Sequence, residues 1–384
     1  MHYFVTGLLA LAALLWILAA IDMAIGIPSI PHIKKIAPLK DQECPSVSIL
    51  FAARDEAEKL PEALEKLLAQ DFPRYEVIAV NDRSEDGTRK ILEAAAAKDP
   101  KLKPINLTAL PEGWLGKPHA LQRAFEESSG EWLVFTDADV HFAPDVLRRT
   151  LALALRERWD HLTLLARVEM QTVGEKITLT YLALALMMGV RAWHVSKPNS
   201  GTYLGVGAFQ LIRREAYEKM GTHRRLAMEV VDDIKLGKLA KQTGIRSGVA
   251  LSGDAVSVRW HAGVGNIVRG TTKNFFAAAG YEFWRACMQI SGILVMCVVP
   301  FVALPFVRGW ALAFACIACV LAVTAQVGVA YEFEESPLYG VTHPIGALLF
   351  AWMLARSTFV TLRQGGIVWR GTFYPLKDLK RGAA

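Results

Sequence analysis

An α/β domain with a mostly parallel sheet, set between apolar helices that cross a membrane, is the fold class this sequence predicts. Three observations predict it. From residue 47 onward, short apolar runs alternate with helical patterns, at the spacing that right-handed parallel crossovers require. Polar and acidic residues collect where the apolar runs end. Outside that region, residues 3–21, 286–307 and 309–331 carry no charge, and a weaker apolar run covers 337–355; a bilayer crossing needs about 20 such residues.

The first apolar run lacks a basic leading segment and is too long for a cleaved signal, so a retained anchor is expected. Lys34, Lys35 and Lys40 follow it, which by the positive-inside rule puts the N-terminus outside and the soluble domain in the cytoplasm. The C-terminus raises a conflict. Three later crossings would leave the tail outside, yet Arg356, Arg363, Arg370, Lys377, Lys380 and Arg381 argue for inside. One run must then be re-entrant or interfacial, and two qualify: 286–307, broken by Pro300 and Pro305, and the last run, with His343 and Pro344 near its start. The expected organisation is an anchor over 1–30, a soluble domain over 45–275, a membrane bundle over 286–362 and a basic tail over 363–384.

The five cysteines suggest no disulfide framework, since Cys287, Cys297, Cys316 and Cys319 lie in apolar runs and only Cys44 does not. Cys316 and Cys319 form a CxxC in an apolar setting without a second ligand pair, a pattern that reads as helix packing rather than metal. The net charge of +6 suits a protein lying against anionic lipid, and no basic-aromatic pattern points to nucleic acid.

Within the soluble region, Val47-Ser48-Ile49-Leu50-Phe51-Ala52 reads as a buried strand, followed by Arg54-Asp55-Glu56. A helix comes next, with Leu60, Leu64, Leu67 and Leu68 on one face. A second strand from Tyr75 to Val80 ends in Asn81-Asp82-Arg83-Ser84, and Asp86-Gly87-Thr88 opens another helix. Asp82 and Ser84 also suit turn and N-cap positions, the reading favoured for Ser84, and Glu56 suits a helix first turn. A third strand near residues 104–107 leads to Gly116-Lys117 at a helix start, where Lys117 is either solvated or a phosphate contact.

The strand Trp132-Leu133-Val134-Phe135-Thr136 then runs into Asp137-Ala138-Asp139. Strand alternation would point both aspartates to one face at the sheet's C-terminal edge. Paired oxygen donors of this kind suit Mg²⁺ or Mn²⁺ shared with phosphates; a turn and a helix cap before Pro144-Asp145 is the plainer account. Beyond a strand over 161–168, residues 177–190 form an apolar helix for the membrane surface or the core. Gly205 and Gly207 allow close backbone approach to a ligand, or a hairpin bend. Asp232 and Asp233 open a helix, where capping is the simplest role. Arg259-Trp260-His261 ends a strand-like 255–258.

Taken together, Arg54-Asp55-Glu56, Asn81-Asp82-Arg83-Ser84 with Asp86-Gly87-Thr88, Gly116-Lys117, Asp137-Ala138-Asp139, Asp232-Asp233 and Arg259-Trp260 stand in the order seen in inverting family 2 glycosyltransferases of the GT-A fold. The chain most resembles the membrane-anchored branch with ceramide glucosyltransferase-like, carotenoid and hopanoid-associated enzymes. The resemblance covers residues 47–273. It implies a Rossmann-like GT-A catalytic domain, a nucleotide-sugar donor, expected to be a UDP-sugar, and Mg²⁺ or Mn²⁺. By the same resemblance Asp82 would recognise the nucleoside base, with Arg54, Asp55 and Glu56 around the nucleoside. Asp137 and Asp139 would hold ribose and the metal, and Asp233 would be the catalytic base. Arg259 and Trp260 resemble the end of the Q-x-x-R-W element that contacts diphosphate and acceptor.

Two positions depart from that pattern. Val256 replaces the glutamine, which argues against a processive synthase. Asp232 replaces the usual glutamate, which leaves open which of the two aspartates acts.

The expected reaction is a single inverting sugar transfer to a membrane lipid hydroxyl. Asp233 would take the hydroxyl proton, and the metal, Arg259 and Lys117 would stabilise the leaving diphosphate. His141 and His261 are better read as loop residues. A polyprenyl-phosphate acceptor, a nucleotidyltransferase and a non-catalytic membrane sensor of sugar nucleotides are the alternatives.

Overall fold

A computed structural model describes residues 2–381; Met1 and residues 382–384, the end of the basic tail, lie outside the described residues. The chain forms two compact units. One, an α/β unit, takes Ile30–Glu169 and Ala192–Arg259; the other, a helical unit, takes Met1–Ser29, Met170–Arg191 and Trp260–Arg381.

The strands of the α/β unit are β1 (Val47–Ala53), β2 (Tyr75–Asp82), β3 (Leu102–Leu107), β4 (Trp132–Asp137), β5 (Val140–Phe142), β6 (His161–Leu165), β7 (Arg167–Val168), β8 (Gln210–Arg213), β9 (Ser247–Leu251) and β10 (Val256–Val258). Seven of them make one sheet in the order β3-β2-β1-β4-β8-β6-β9. Neighbours are parallel except at β8, which runs against both β4 and β6. The mostly parallel α/β fold is therefore present, as the alternating pattern predicts.

The chain steps from β1 outward to β3 and then returns to place β4 on the other side of β1. Crevices for ligands form at such reversals, outside the carboxyl ends of the strands. The register makes those ends level: Ala53 lies opposite Asn81, and Ala52 opposite Asp137. Residues that follow β1, β2 and β4 therefore share one edge.

Alternation along each strand divides the core. Ile49, Phe51, Val77, Ala79 and Val134 pack on one face with Leu60, Leu64 and Leu67 of the helix Leu60–Leu68 and with Leu147 and Leu151 of the helix Val146–Glu157. Leu50, Ile78, Val80, Leu133 and Phe135 pack on the other with Ala120 and Leu121 of Gly116–Glu126 and Leu236 and Leu239 of Asp232–Gln242. Each fully buried large apolar side chain contributes roughly 1.5–3 kcal/mol, so both helix layers are firmly attached to the sheet.

The single strand expected over 161–168 is two. Leu165 completes β6 against Leu251 of β9, whereas Arg167 pairs with Ser257 of β10. The chain leaves the large sheet at Ala166 and enters a three-stranded sheet, β5-β10-β7. In that sheet Val258 lies antiparallel to Val140.

Among the described residues, four helices are long and apolar enough to cross a membrane: Tyr3–Ser29, Val173–His194, Gly309–Glu332 and Pro337–Gln364. The uncharged run 286–307 is broken into Phe283–Cys297 and Val299–Ala303, with Pro300 in the first turn of the second piece. Leu9 packs with Ala311 and Ala315, so the first helix runs parallel to Gly309–Glu332. Ala311, Ala315, Ala318 and Ala322 are buried at one-turn intervals, which lets backbones approach. Cys319 is buried beside them and Cys316 is exposed, both as free thiols.

The helix Val173–Val190 starts at a capping box of Thr172 and Glu175. Within its unit, Thr180 accepts from Gln326 Nε2 at 2.7 Å and Arg191 grips Asp22 through two bonds of 2.7 and 2.8 Å. The last apolar run begins as a 3₁₀ segment, Pro337–Thr342, whose Gly340 sits against Val323 and Val327. It continues as His343–Gln364, and the His343 ring is enclosed by Trp16, Tyr181 and Phe301.

Candidate active site

The loops after β1 and β2 are tied to one another. Asp55 N–H donates to Ser84 Oγ at 3.0 Å, Glu56 N–H to Thr88 Oγ1 at 2.9 Å and Ala57 N–H to Asp86 Oδ2 at 3.0 Å. In return Glu85 N–H donates to Asp55 Oδ1 at 2.8 Å. Burial pulls the Asp86 carboxyl upward, but the bonds from Thr88 and from the Ala57 and Thr88 amides outweigh it and hold it below the usual carboxylate range. Ser84 is thus a tie to the β1 loop and not the N-cap expected for it; Gly87 occupies the N-cap of Thr88–Ala96 and makes no side-chain cap bond. Asp55 and Arg83 both take left-handed backbone, with φ of 55° and 57°. Arg83 folds back so that Nε and Nη2 reach the two oxygens of buried Asp82 at 2.7 and 3.0 Å.

A second cluster gathers at the end of β4. Lys117, at the start of Gly116–Glu126, reaches Asp137 Oδ1 at 2.6 Å and lies 3.9 Å from Asp232 Oδ1. Burial opposes its charge, but Asp137, Asp232 and Asp233 together hold the ammonium well above the usual lysine range. Asp232 is buried, with His223 Nε2 3.9 Å from its Oδ2. Burial, then Lys117, push His223 down to about 3, so its ring is neutral. Tyr217 OH accepts the His223 backbone N–H at 2.9 Å and lies 2.5 Å from Nδ1. With the hydroxyl proton on that bond, the ring proton rests on Nε2, toward Asp232.

Asp233 is held differently. Its Oδ2 accepts from Gly207 N–H at 3.0 Å, its Oδ1 from Ile234 N–H at 2.8 Å, and its carbonyl from Gln210 Nε2 at 3.3 Å. The segment carrying Gly205 and Gly207 wedges between β4 and the helix Asp232–Gln242. A methyl group at Gly205 would overlap the Asp233 carbonyl, and one at Gly207 would lie 2.7 Å from Asp137 Oδ2 and 3.2 Å from Asp233 Oδ2. These glycines let backbone approach the protein's own carboxylates. Lys117, Thr136, Gly207, Gln210, His223, Asp232 and Asp233 line one pocket.

The third group sits at the rim. Asp139 lies in the turn that joins β4 to β5, since β4 ends at Asp137. The antiparallel register of Val258 with Val140 brings Arg259 beside it. Lys59, at the N-cap of Leu60–Leu68, reaches Asp139 Oδ2 at 2.7 Å and the Arg259 carbonyl at 3.4 Å.

Of the residues singled out from sequence, Lys117, Asp232 and Asp233 line one pocket, and Asp137 joins them through its ion pair with Lys117. Asp139 and Arg259 meet at the rim, Arg54, Asp55 and Glu56 follow β1, and Asp82 is the last residue of the neighbouring β2. Trp260 belongs to the helical unit, its ring 4.7 Å from that of His261. Sequence reasoning missed Lys59, His223 and Gln210. A lysine three residues after the Asp55-Glu56 pair was the available signal for Lys59, and the other two carry none.

The donor chemistry suits a hard divalent cation. Asp137 and Asp139 offer carboxylate oxygens at a strand end, and each is balanced by an ammonium group, Lys117 and Lys59 in turn. Among the described residues no group of three or more His, Cys, Asp or Glu could enclose a metal. A cation there would draw its remaining ligands from phosphate and water, the usual habit of Mg²⁺.

Residues 48–221 match the family model for Glycosyl transferase family 2. The 4,4'-diaponeurosporenoate glycosyltransferase of Staphylococcus haemolyticus is 24% identical over 260 residues, 67% of this chain and 68% of the relative. The beta-monoglucosyldiacylglycerol synthase of Trichormus variabilis is 34% identical over 116 residues, but that match spans 30% of this chain and 24% of the relative. Among solved structures, the mannosyltransferase PcManGT from Pyrobaculum calidifontis, in complex with GDP-Man and Mn²⁺, is similar with a TM-score of 0.54 and 20% identity, over 91% of this chain and 99% of that one. With the strand order and the site edge described above, this likeness fixes the fold class: the chain has the GT-A fold, and its residues 48–221 are similar to glycosyl transferase family 2.

Proposed function

We propose that the protein is an inverting, non-processive glycosyltransferase that moves a sugar from a nucleotide-sugar, a UDP-sugar in this reading, to the hydroxyl of a membrane lipid. The observation that carries the reading is the placing of Asp233 and Asp137 against the same glycine. Gly207 donates its N–H to Asp233 and faces Asp137 Oδ2, so a proton acceptor and a donor-side carboxylate are held at one point.

The mechanism uses the residues as placed. Asp82 and the loop Arg54-Asp55-Glu56 receive the nucleoside. Asp137 and Asp139 would hold Mg²⁺ or Mn²⁺, which when bound neutralises charge on the diphosphate. Lys117 and Arg259 add fixed positive charge toward the leaving group. Asp233, with both oxygens oriented by amide donors, takes the proton of the acceptor hydroxyl as the new bond forms on the opposite face of the sugar. Asp233 is favoured over Asp232, which is buried against Lys117 and His223. Trp260 would contact the acceptor, and the buried Val256 of β10 stands where the resemblance expects a glutamine, which supports a single transfer.

A lipid acceptor is supported by the long apolar helices and by two relatives named for lipid-like acceptors, diaponeurosporenoate and diacylglycerol. We place the catalytic domain in the cytoplasm, on Lys34, Lys35 and Lys40. The helix Val173–Val190 is preceded and followed by chain of the α/β unit, so it cannot cross without splitting that unit between two compartments. The 3₁₀ segment at Gly340 doubles back along Gly309–Glu332, which favours the last run as the one that does not cross. Crossings by the first helix, by 283–303 and by Gly309–Glu332 then return the basic tail to the cytoplasm and remove the charge conflict.

The test is incubation of membranes containing the protein with radiolabelled UDP- and GDP-sugars, followed by lipid extraction. Label in a hydroxyl-linked glycolipid is expected with a UDP-sugar. Label that is released by mild acid as a polyprenyl phosphate would move the acceptor to that class, and no label with any donor would remove the enzymatic reading.

A further inference from the structure

Lys59 has no place in the mechanism above, yet it makes an ion pair with Asp139 at the rim. Its ammonium lies 2.7 Å from Asp139 Oδ2 and 3.4 Å from the Arg259 carbonyl oxygen. It therefore spans three strand ends: the loop after β1, the turn after β4 and the end of β10. The lysine side chain is 44% exposed and the aspartate 19%, so the pair sits at the mouth, where an ammonium can leave its partner for solvent or for another anion. An ion pair this exposed is weak, about 0.2–1 kcal/mol, and is suited to exchange. The Lys117–Asp137 pair differs in that its lysine side chain is 23% exposed and also lies 3.9 Å from buried Asp232, a second carboxylate that holds it in place.

We propose that Lys59 competes with the divalent cation for Asp139, so that the cation binds well only together with the donor diphosphate. The proposal rests on the assignment of Asp139 to the metal. A cation alone must displace the Lys59 ammonium from Asp139 into water. When the diphosphate arrives with the cation, it brings the negative charge that the released ammonium then faces, and the displacement loses its cost. Lys59 is in this sense a positioning residue that couples two ligands by competition for one carboxylate, a coupling free energy between sites that linkage makes reciprocal. No proton transfer or covalent step is involved.

The experiment measures Mn²⁺ binding to the purified full chain in detergent by electron paramagnetic resonance, with and without UDP, and takes the ratio of the two affinities. In Lys59→Met, binding without UDP should tighten by roughly two- to five-fold while binding with UDP does not tighten, so the ratio falls. Lys59→Arg, which keeps the charge, should retain the wild-type ratio. An unchanged or increased ratio in Lys59→Met would overturn the proposal. Asp139→Asn separates this from failure of the reading beneath it. If wild type and Asp139→Asn bind Mn²⁺ equally under both conditions, Asp139 is not a metal ligand; if Asp139→Asn loses binding and Lys59→Met keeps the wild-type ratio, only the role of Lys59 is lost.

Discussion

On the β4–β8 side of the sheet edge, Asp137, Lys117, Asp232, Asp233 and His223 are packed together around glycines that admit no side chain. On the β1–β10 side, Asp139, Lys59 and Arg259 meet through one partly exposed lysine. The first arrangement is fixed before any ligand arrives, and the second can exchange partners. A transfer reaction needs both, since charge development calls for dipoles already in place while a nucleotide must be able to enter and leave.

The largest expected effect falls on the fixed side. Asp233→Asn should lower turnover by about 10²- to 10⁴-fold with UDP affinity unchanged, as measured by sugar transfer and nucleotide binding on the same preparation; normal turnover would take Asp233 out of the mechanism. Next comes Gly205→Ala. The added methyl meets the Asp233 backbone carbonyl, which cannot swing aside as a side chain can, so a loss of about 1–3 kcal/mol in stability is expected. A melting temperature equal to wild type would show that the wedge is softer than described.

A pH series sharpens the comparison further. Burial, opposed by Gln210, brings His161 down to about 4, and burial with Lys117 brings His223 down to about 3. The folded state therefore refuses protons that the unfolded chain accepts below the ordinary histidine value of 6.5. Stability is complete above that value and falls as pH drops from 6.5 toward 4. Thermal unfolding from pH 7.5 to 5 should show the decline, and His161→Gln should flatten it.

The smallest effect belongs to the rim loops. Gly87→Ala places its methyl 3.6 Å from Ala57 Cβ, an ordinary contact, and should move stability by no more than about 0.5 kcal/mol. A loss as large as that of Gly205→Ala would mean that both sides are equally rigid.

Much of the fixed side was legible in the sequence because its parts announce themselves by periodicity. β1, β2 and β4 are apolar runs that end in acids, and Gly116-Lys117 and Asp232-Asp233 open helices. What could not be read was the pairing between distant positions. Gly205 and Gly207 read as room for a ligand, whereas they make room for Asp233 and Asp137. Ser84 read as a cap because it precedes a helix, but its partner is the amide of Asp55, 29 residues earlier. His223 carried no pattern, since its burial depends on Tyr217 and Phe135 closing over it. In the helical unit, hydropathy marked the apolar runs and Pro300 and Pro305 marked the break in 286–307, but neither showed that residues 337–342 fold back, because that depends on packing between helices.

The excursion at Met170–Arg191 has a consequence for the order in which the chain becomes competent during synthesis. β1 to β4 are consecutive, parallel and complete by Asp137, so the nucleotide side of the edge can assemble while the rest is still being made. β6 cannot join that sheet until β8 exists, because β8 lies between β4 and β6, and β8 follows the apolar helix Val173–Val190. The proposed base, Asp233, emerges later still. A nascent chain thus carries the proposed nucleotide edge before it carries the proposed proton acceptor, and it has to stow an apolar helix before it can gain the latter.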